Sequence, residues 1–161
     1  MHMPRQKCTT SLRQYGFCGV LAVIYAADLP MPKSKTDLTI LLIVIQHVLG
    51  FPSSWRTQGV AKKRGVLSFE NITHLLAHYK CDSTFLALAR NTTGNTPTLN
   101  KWLKGVQANS KFIVLVRKHA MFLETKKYKS KWRLYDQSGV RTKGMTLRYG
   151  AHHITNIVQV H

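Results

Sequence analysis

Residues 112–124, Phe-Ile-Val-Leu-Val-Arg-Lys-His-Ala-Met-Phe-Leu-Glu, decide the architecture. Phe112–Val116 is an unbroken apolar run of strand length, Arg117-Lys118 is a basic turn, and His119–Glu124 resumes as a second strand. Downstream, Lys131–Tyr135, Met145–Tyr149 and Ile154–Val160 alternate in polarity or are β-branched, again with basic turns between them. The second half of the chain therefore predicts an antiparallel sheet. Upstream the pattern is mainly helical. One helix is expected from about Cys18 to Ala27, ending before Asp28-Leu-Pro-Met-Pro32. A second runs from about Thr36 to Leu49, with Asp37 near its start and Gly50 just past its end. Gly50 to Gly65 reads as a loop. Ser68 caps a third helix that ends near Tyr79, Thr84–Ala89 reads as a strand, and Pro97 opens a fourth helix reaching about Ala108. Helices first and strands after predict an α+β domain, not a doubly wound one. The expected organisation is a basic arm over residues 1–10 and a single domain over residues 11–161.

At 161 residues the chain buries about 70% of its unfolded surface, enough for a core without covalent staples. With 44% hydrophobic residues it is not a disordered chain, and with three cysteines it is not a disulfide scaffold. Lys and Arg number 24 against 6 Asp and Glu, a formal charge of +18. Such a surface is drawn to polyanions, and nucleic acid is the expected partner. The basic residues crowd into Lys126, Lys127, Lys129, Lys131 and Arg133, where Tyr128 and Trp132 lie among them, and into Lys62, Lys63 and Arg64. Cations mixed with aromatics suit phosphate contacts and base stacking on single strands, with little dependence on base sequence.

Leu38–Phe51 is the most apolar stretch, but it contains Gln46 and His47 and is too short to span a bilayer, so no transmembrane segment is expected. No secretory leader pattern is legible near Met1. Cys8, Cys18 and Cys81 are odd in number and irregular in spacing, which predicts free thiols in an intracellular, reducing compartment.

Cys18 sits where a turn with Gly16 and Gly19 feeds an apolar helix. Unpaired N–H groups at a helix start lower a thiol's pKa and offer donors to a developing oxyanion. Flanking glycines leave the sulfur open to substrate. His119 opens one strand and Asp136 ends the next, so an antiparallel hairpin sets the two side by side. Asp136 then orients the imidazole while its other nitrogen faces Cys18. Taken singly, each residue has a plainer reading: Cys18 a small core residue, His119 a rim residue, Asp136 a turn-former before Gln137-Ser138-Gly139. His74, His78 and Cys81 share a spacing that suits a metal, but the pair also fits an exposed helix face without further ligands; no metal and no cofactor is expected. His152, His153 and His161 read as surface residues.

Together, Gln14-x-x-x-Cys18-Gly19-x-x-Ala22, then Lys118-His119-Ala120-Met121-Phe122, then Tyr135-Asp136 resemble the papain-like cysteine protease clan. The layout is similar to bacteriocin-processing peptidases and to compact viral leader proteases, over about Ser11 to Val160. The resemblance implies a papain-like fold and a polypeptide substrate. It implies Cys18 as nucleophile, His119 as general base and then acid, Asp136 as orienting carboxylate and Gln14 as side-chain oxyanion donor. The gap between Gln14 and Cys18 is a residue or so shorter than in those families. Phe17 stands where the processing peptidases often have Asp, and Gln137 where they have Pro. Charge and resemblance together point to a virus-like setting near nucleic acid, in a host cytoplasm or a particle. The rival expectation is a basic nucleic-acid-binding or particle-packing protein that uses the same fold without turnover. A third keeps the site and gives it another acyl substrate, such as an isopeptide.

Overall fold

The computed structural model describes residues 17–58, 67–126 and 131–161. It is a mixed α+β structure with a six-stranded antiparallel sheet. In chain order the elements are α1 (Cys18–Ala26), α2 (Lys35–Leu49), α3 (Ser54–Gln58), α4 (Phe69–His78), β1 (Ser83–Leu86), α5 (Leu99–Leu103), β2 (Lys111–Val116), β3 (His119–Thr125), β4 (Trp132–Asp136), β5 (Gly139–Thr142) and β6 (Asn156–Val160). The strands lie in the order β1-β6-β2-β3-β4-β5.

The continuous apolar run in β2 is explained by a sheet covered on both faces. Successive side chains of a strand point to opposite sides. Ile113 and Leu115 enter a core with α1, α2 and α4, whereas Phe112, Val114 and Val116 enter a second core with Leu99, Leu103 and Val106. Strand β3 does the same, with Ala120 and Phe122 on the first side and Met121 and Leu123 on the second. The register pairs Val116 with His119 and Phe122 with Tyr135.

Helix α1 is the centre of the first core. All nine of its residues are buried, between β2–β4 on one side and α4 on the other, so it has no polar face and needs none. Around it, α2 turns Leu38, Leu42 and Ile45 inward at helical spacing. Ser34 Oγ caps α2 by accepting from the Asp37 amide at 3.1 Å, and Gly50 ends it in the left-handed region at φ 68°. Ser68 caps α4 through the Asn71 amide at 3.2 Å. No helix among the described residues is long and apolar enough to cross a membrane.

Four local expectations change. The expected loop from Gly50 holds the short helix α3, because Trp55 folds back into the core against Phe17 and Phe51. The strand expected over Thr84–Ala89 is shorter and starts one residue earlier, at Ser83, where β6 offers its partner edge. The fourth helix stops at Leu103 instead of near Ala108. Gly105 is a poor helix former, and Val106 leaves the helical path to fill the second core. Met145–Tyr149 has a strand's alternation but is a loop between Gly144 and Gly150, and the strand in this region is β5. Leu147 and Tyr149 still reach the second core, held by the Asn100 amide donating to the Gly150 carbonyl at 2.9 Å.

Candidate active site

Cys18 is the first residue of α1, and it is buried. The helix starts there without a side-chain cap from Phe17. Gly19 has a packing task at this helix start. A Cβ at that position would stand 3.0 Å from the Leu67 Cβ, so the glycine lets the loop before α4 press against the helix. Gly16 lies outside the described residues.

His119 is placed by a two-residue hairpin between β2 and β3. Arg117 and Lys118 both take left-handed conformations, φ 50° and 65°, as the tight turn that matches strand twist requires. For side chains other than glycine this costs roughly 1–2 kcal/mol per residue. The hairpin register places the first residue after the turn, His119, opposite Val116, and the Lys118 carbonyl oxygen stands 3.8 Å from Cys18 Sγ. Asp136 ends β4. Phe122 opposite Tyr135 brings Asp136 beside Met121, and His119 lies two residues further along the same face.

Asp136 Oδ2 lies 3.2 Å from His119 Nε2, with both side chains mostly buried. The ring nitrogen left to face the sulfur is Nδ1, and the imidazole hydrogen-bonds to Cys18. Asp136 also keeps the turn role read from its sequence context. Its Oδ1 accepts the Ser138 amide at 2.8 Å, so one carboxylate both closes the β4–β5 turn and holds the histidine. Three residues read separately from sequence thus meet in one place.

Their charges are coupled. Burial works to raise the Cys18 pKa, but the His119 hydrogen bond, the Ala120 and Gly19 amides and the His119 charge outweigh it, and the thiol falls below its ordinary 9.0. Burial works to lower His119, yet Asp136 and Cys18 together carry it from 6.5 to about 9. Each group thus favours the charged form of the other, which shifts the pair toward thiolate and imidazolium. Such a pair can attack an acyl carbon and then return a proton to the leaving group.

Two residues not assigned from the sequence complete the site. Tyr149 stacks on His119, with ring centroids 4.6 Å apart, and Arg148 lies 5.4 Å over the Tyr149 ring. Tyr149's only sequence signal was its place in the apolar alternation. Gln137, in the turn beside Asp136, presses its carboxamide against the start of α1. With the oxygen facing inward it accepts from the Phe17 and Cys18 amides, each at 3.3 Å; the reverse orientation would set its NH2 against two N–H donors. Gln14 lies outside the described residues.

Of the expected nucleic-acid contacts, Lys62, Lys63, Arg64, Lys127 and Lys129 lie outside the described residues, as does Tyr128. Lys126, Lys131 and Arg133 do come together with Lys143 around an open pocket of about 380 Å³. Trp132 is the departure. It also borders this pocket, but it belongs to the second core and is buried, which leaves little ring face for a base. The pocket lies toward the opposite end of β4 from Asp136, some ~13 Å along the strand. His74 and His78 are exposed on α4, and the Cys81 thiol turns to the Tyr79 carbonyl. His153 is exposed and His152 partly buried; His161 bonds Thr84 at 2.8 Å. Comparison of the chain with family models, with curated proteins and with solved structures gives no match.

Proposed function

We propose that the protein is a cysteine peptidase of papain-like architecture, a thiol hydrolase that works through Cys18, His119 and Asp136. The observation that carries this reading is the assembled trio: a thiol at a helix start, an imidazole bonded to it, and a carboxylate 3.2 Å from the far ring nitrogen. The Cys18 thiolate attacks the carbonyl carbon of a peptide, forming a C–S bond, and the carbonyl oxygen takes up negative charge. The Cys18 amide donates to that oxygen at the start of α1. As the tetrahedral intermediate collapses, imidazolium His119 gives its proton to the amine and the C–N bond breaks. Neutral His119 then takes a proton from water, hydroxide adds to the thioester, and the C–S bond breaks to release the acid and the thiolate. Asp136 keeps the ring in one tautomer and stabilises its cation throughout. The same chemistry serves an isopeptide or another acyl donor.

Labelling by a peptide-like thiol electrophile from about pH 5 to about pH 9, mapped by mass spectrometry, tests the reading. Labelling concentrated on Cys18 over Cys8 and Cys81, and lost in His119→Ala, supports it. Even, slow labelling of all three cysteines rejects it.

A second reading has its own observation, the four cations Lys126, Lys131, Arg133 and Lys143 around one pocket. A polyanion held there places the chain near nucleic acid, in a virus-like replication or particle setting, with or without turnover. Its signature is binding of single-stranded oligonucleotides that weakens steeply with salt. The slope falls by roughly one per cation removed, and Cys18→Ser leaves it unchanged.

A further inference from the structure

The carboxamide of Gln137 lies against the start of α1, beside the backbone amide of the proposed nucleophile. The Cys18 amide belongs to the nucleophile's own residue, and with the Gln137 oxygen facing inward it donates to that oxygen at 3.3 Å, as the Phe17 amide does at the same distance. A side-chain amide is chemically the same group as a peptide bond, so Gln137 presents to the helix start what a substrate carbonyl would present. Its origin is also specific. Gln137 sits in the two-residue turn between Asp136 and Gly139, which the Asp136–Ser138 bond closes and Gly139, at φ 112°, completes. The turn that carries the orienting carboxylate therefore also delivers the occupant. Because the oxygen faces the two amides, the Gln137 NH2 points away from them and donates nothing to that position.

We infer that Gln137 is an internal occupant of the oxyanion position, which an incoming acyl group must displace before Cys18 can be acylated. This rests on the reading of Cys18 as an acyl-accepting nucleophile. The displacement is open to substrate because both bonds are long for N–H···O contacts, Gln137 is only partly buried, and its turn lies at the surface. A rate advantage follows for any acyl group whose carbonyl competes well for two amide donors, and a penalty for weak acceptors.

Two small reagents separate this gating role from the reactivity of the thiol. Iodoacetamide alkylates a thiolate by displacing iodide and develops no oxyanion. p-Nitrophenyl acetate forms a thioester with loss of p-nitrophenolate, through a tetrahedral oxyanion. The full-length protein, its Gln137→Ala variant and its Gln137→Glu variant are compared with each reagent, with Cys18→Ala as the background. In Gln137→Ala the acetylation rate of Cys18 is expected to rise by roughly three- to tenfold, the worth of one or two neutral hydrogen bonds, while alkylation changes less than twofold. In Gln137→Glu the stronger carboxylate acceptor is expected to slow acetylation more than alkylation. Unchanged or slower acetylation in Gln137→Ala, with alkylation intact, overturns the gate. If Gln137→Ala does not fold, the Gln137→Glu ratio decides in the same way. A wild-type Cys18 that iodoacetamide labels no faster than Cys81 overturns the underlying nucleophile reading instead.

Discussion

Tyr149 lies nearly flat on His119, with 4.6 Å between ring centroids and 26° between ring planes. His119 is therefore fixed on three sides, by Asp136 at Nε2, by Cys18 at the other nitrogen and by a phenol ring on its face. A ring so enclosed gives up little freedom when it moves a proton between sulfur and leaving group.

Removing that face is expected to loosen the imidazole without discharging it. Tyr149→Ala should slow Cys18 acetylation by p-nitrophenyl acetate by roughly two- to tenfold, the worth of a stacked aromatic pair. Tyr149→Phe should restore it. NMR of the His119 ring checks the mechanism, since exchange broadening is expected in the alanine variant alone.

The coupled titrations predict two different pH limits. Acyl transfer requires His119 to carry a proton, so turnover should fall as pH rises through about 9. Iodoacetamide alkylation needs only the thiolate and should hold across that limit, falling at low pH below the depressed Cys18 pKa. Asp136→Asn removes a group that raises His119 and should move the upper limit of turnover toward 6.5. Stability follows the same signs. The His119 contribution is complete below 6.5 and is lost as pH rises through about 9. The Cys18 contribution is complete above 9.0 and is lost as pH falls through its lowered value. Thermal melts of wild type and His119→Ala across this range check it.

Gly19→Ala tests packing beside the nucleophile. The added Cβ would stand 3.0, 3.2 and 3.3 Å from Leu67 side-chain atoms, with α1 buried behind it. A loss of about 1–3 kcal/mol is expected by denaturant titration, and Leu67→Ala should recover part of the contact penalty while adding a cavity cost of its own.

A buried polar link in the β3–β4 pairing is Tyr135 Oη donating to Glu124 Oε1 at 2.7 Å. Burial, and then the Glu124 carboxylate, push the phenol up to about 12, so it remains a donor at any ordinary pH. Tyr135→Phe should cost about 1.5–3 kcal/mol, the worth of a bond to a charged acceptor. Because Asp136 is the next residue, amide exchange at Asp136–Ser138 should quicken in the same variant, and unchanged exchange there would separate the link from the site.

The sequence by itself determined the local rules of this chain. The helical period, with Ser68 as a cap and Gly50 as a stop, was legible because capping is settled within a few residues. The turn at Arg117–Lys118, the strands beside it and the adjacency of His119 to Asp136 were legible because a hairpin is a local object. The extent of α5 was not, since Val106 leaves the helix for a core whose other walls, Phe112 and Ile157, lie elsewhere in the chain. Nor was the loop nature of 145–149, whose alternation is satisfied by packing on the second core without a ladder. Only the tertiary structure decided what surrounds the dyad. Tyr149 reaches His119 across thirty positions, and Gln137 reaches the start of α1 across more than a hundred. No periodicity records such contacts, because they depend on where a sheet's edge turns and a helix's end happen to meet in three dimensions.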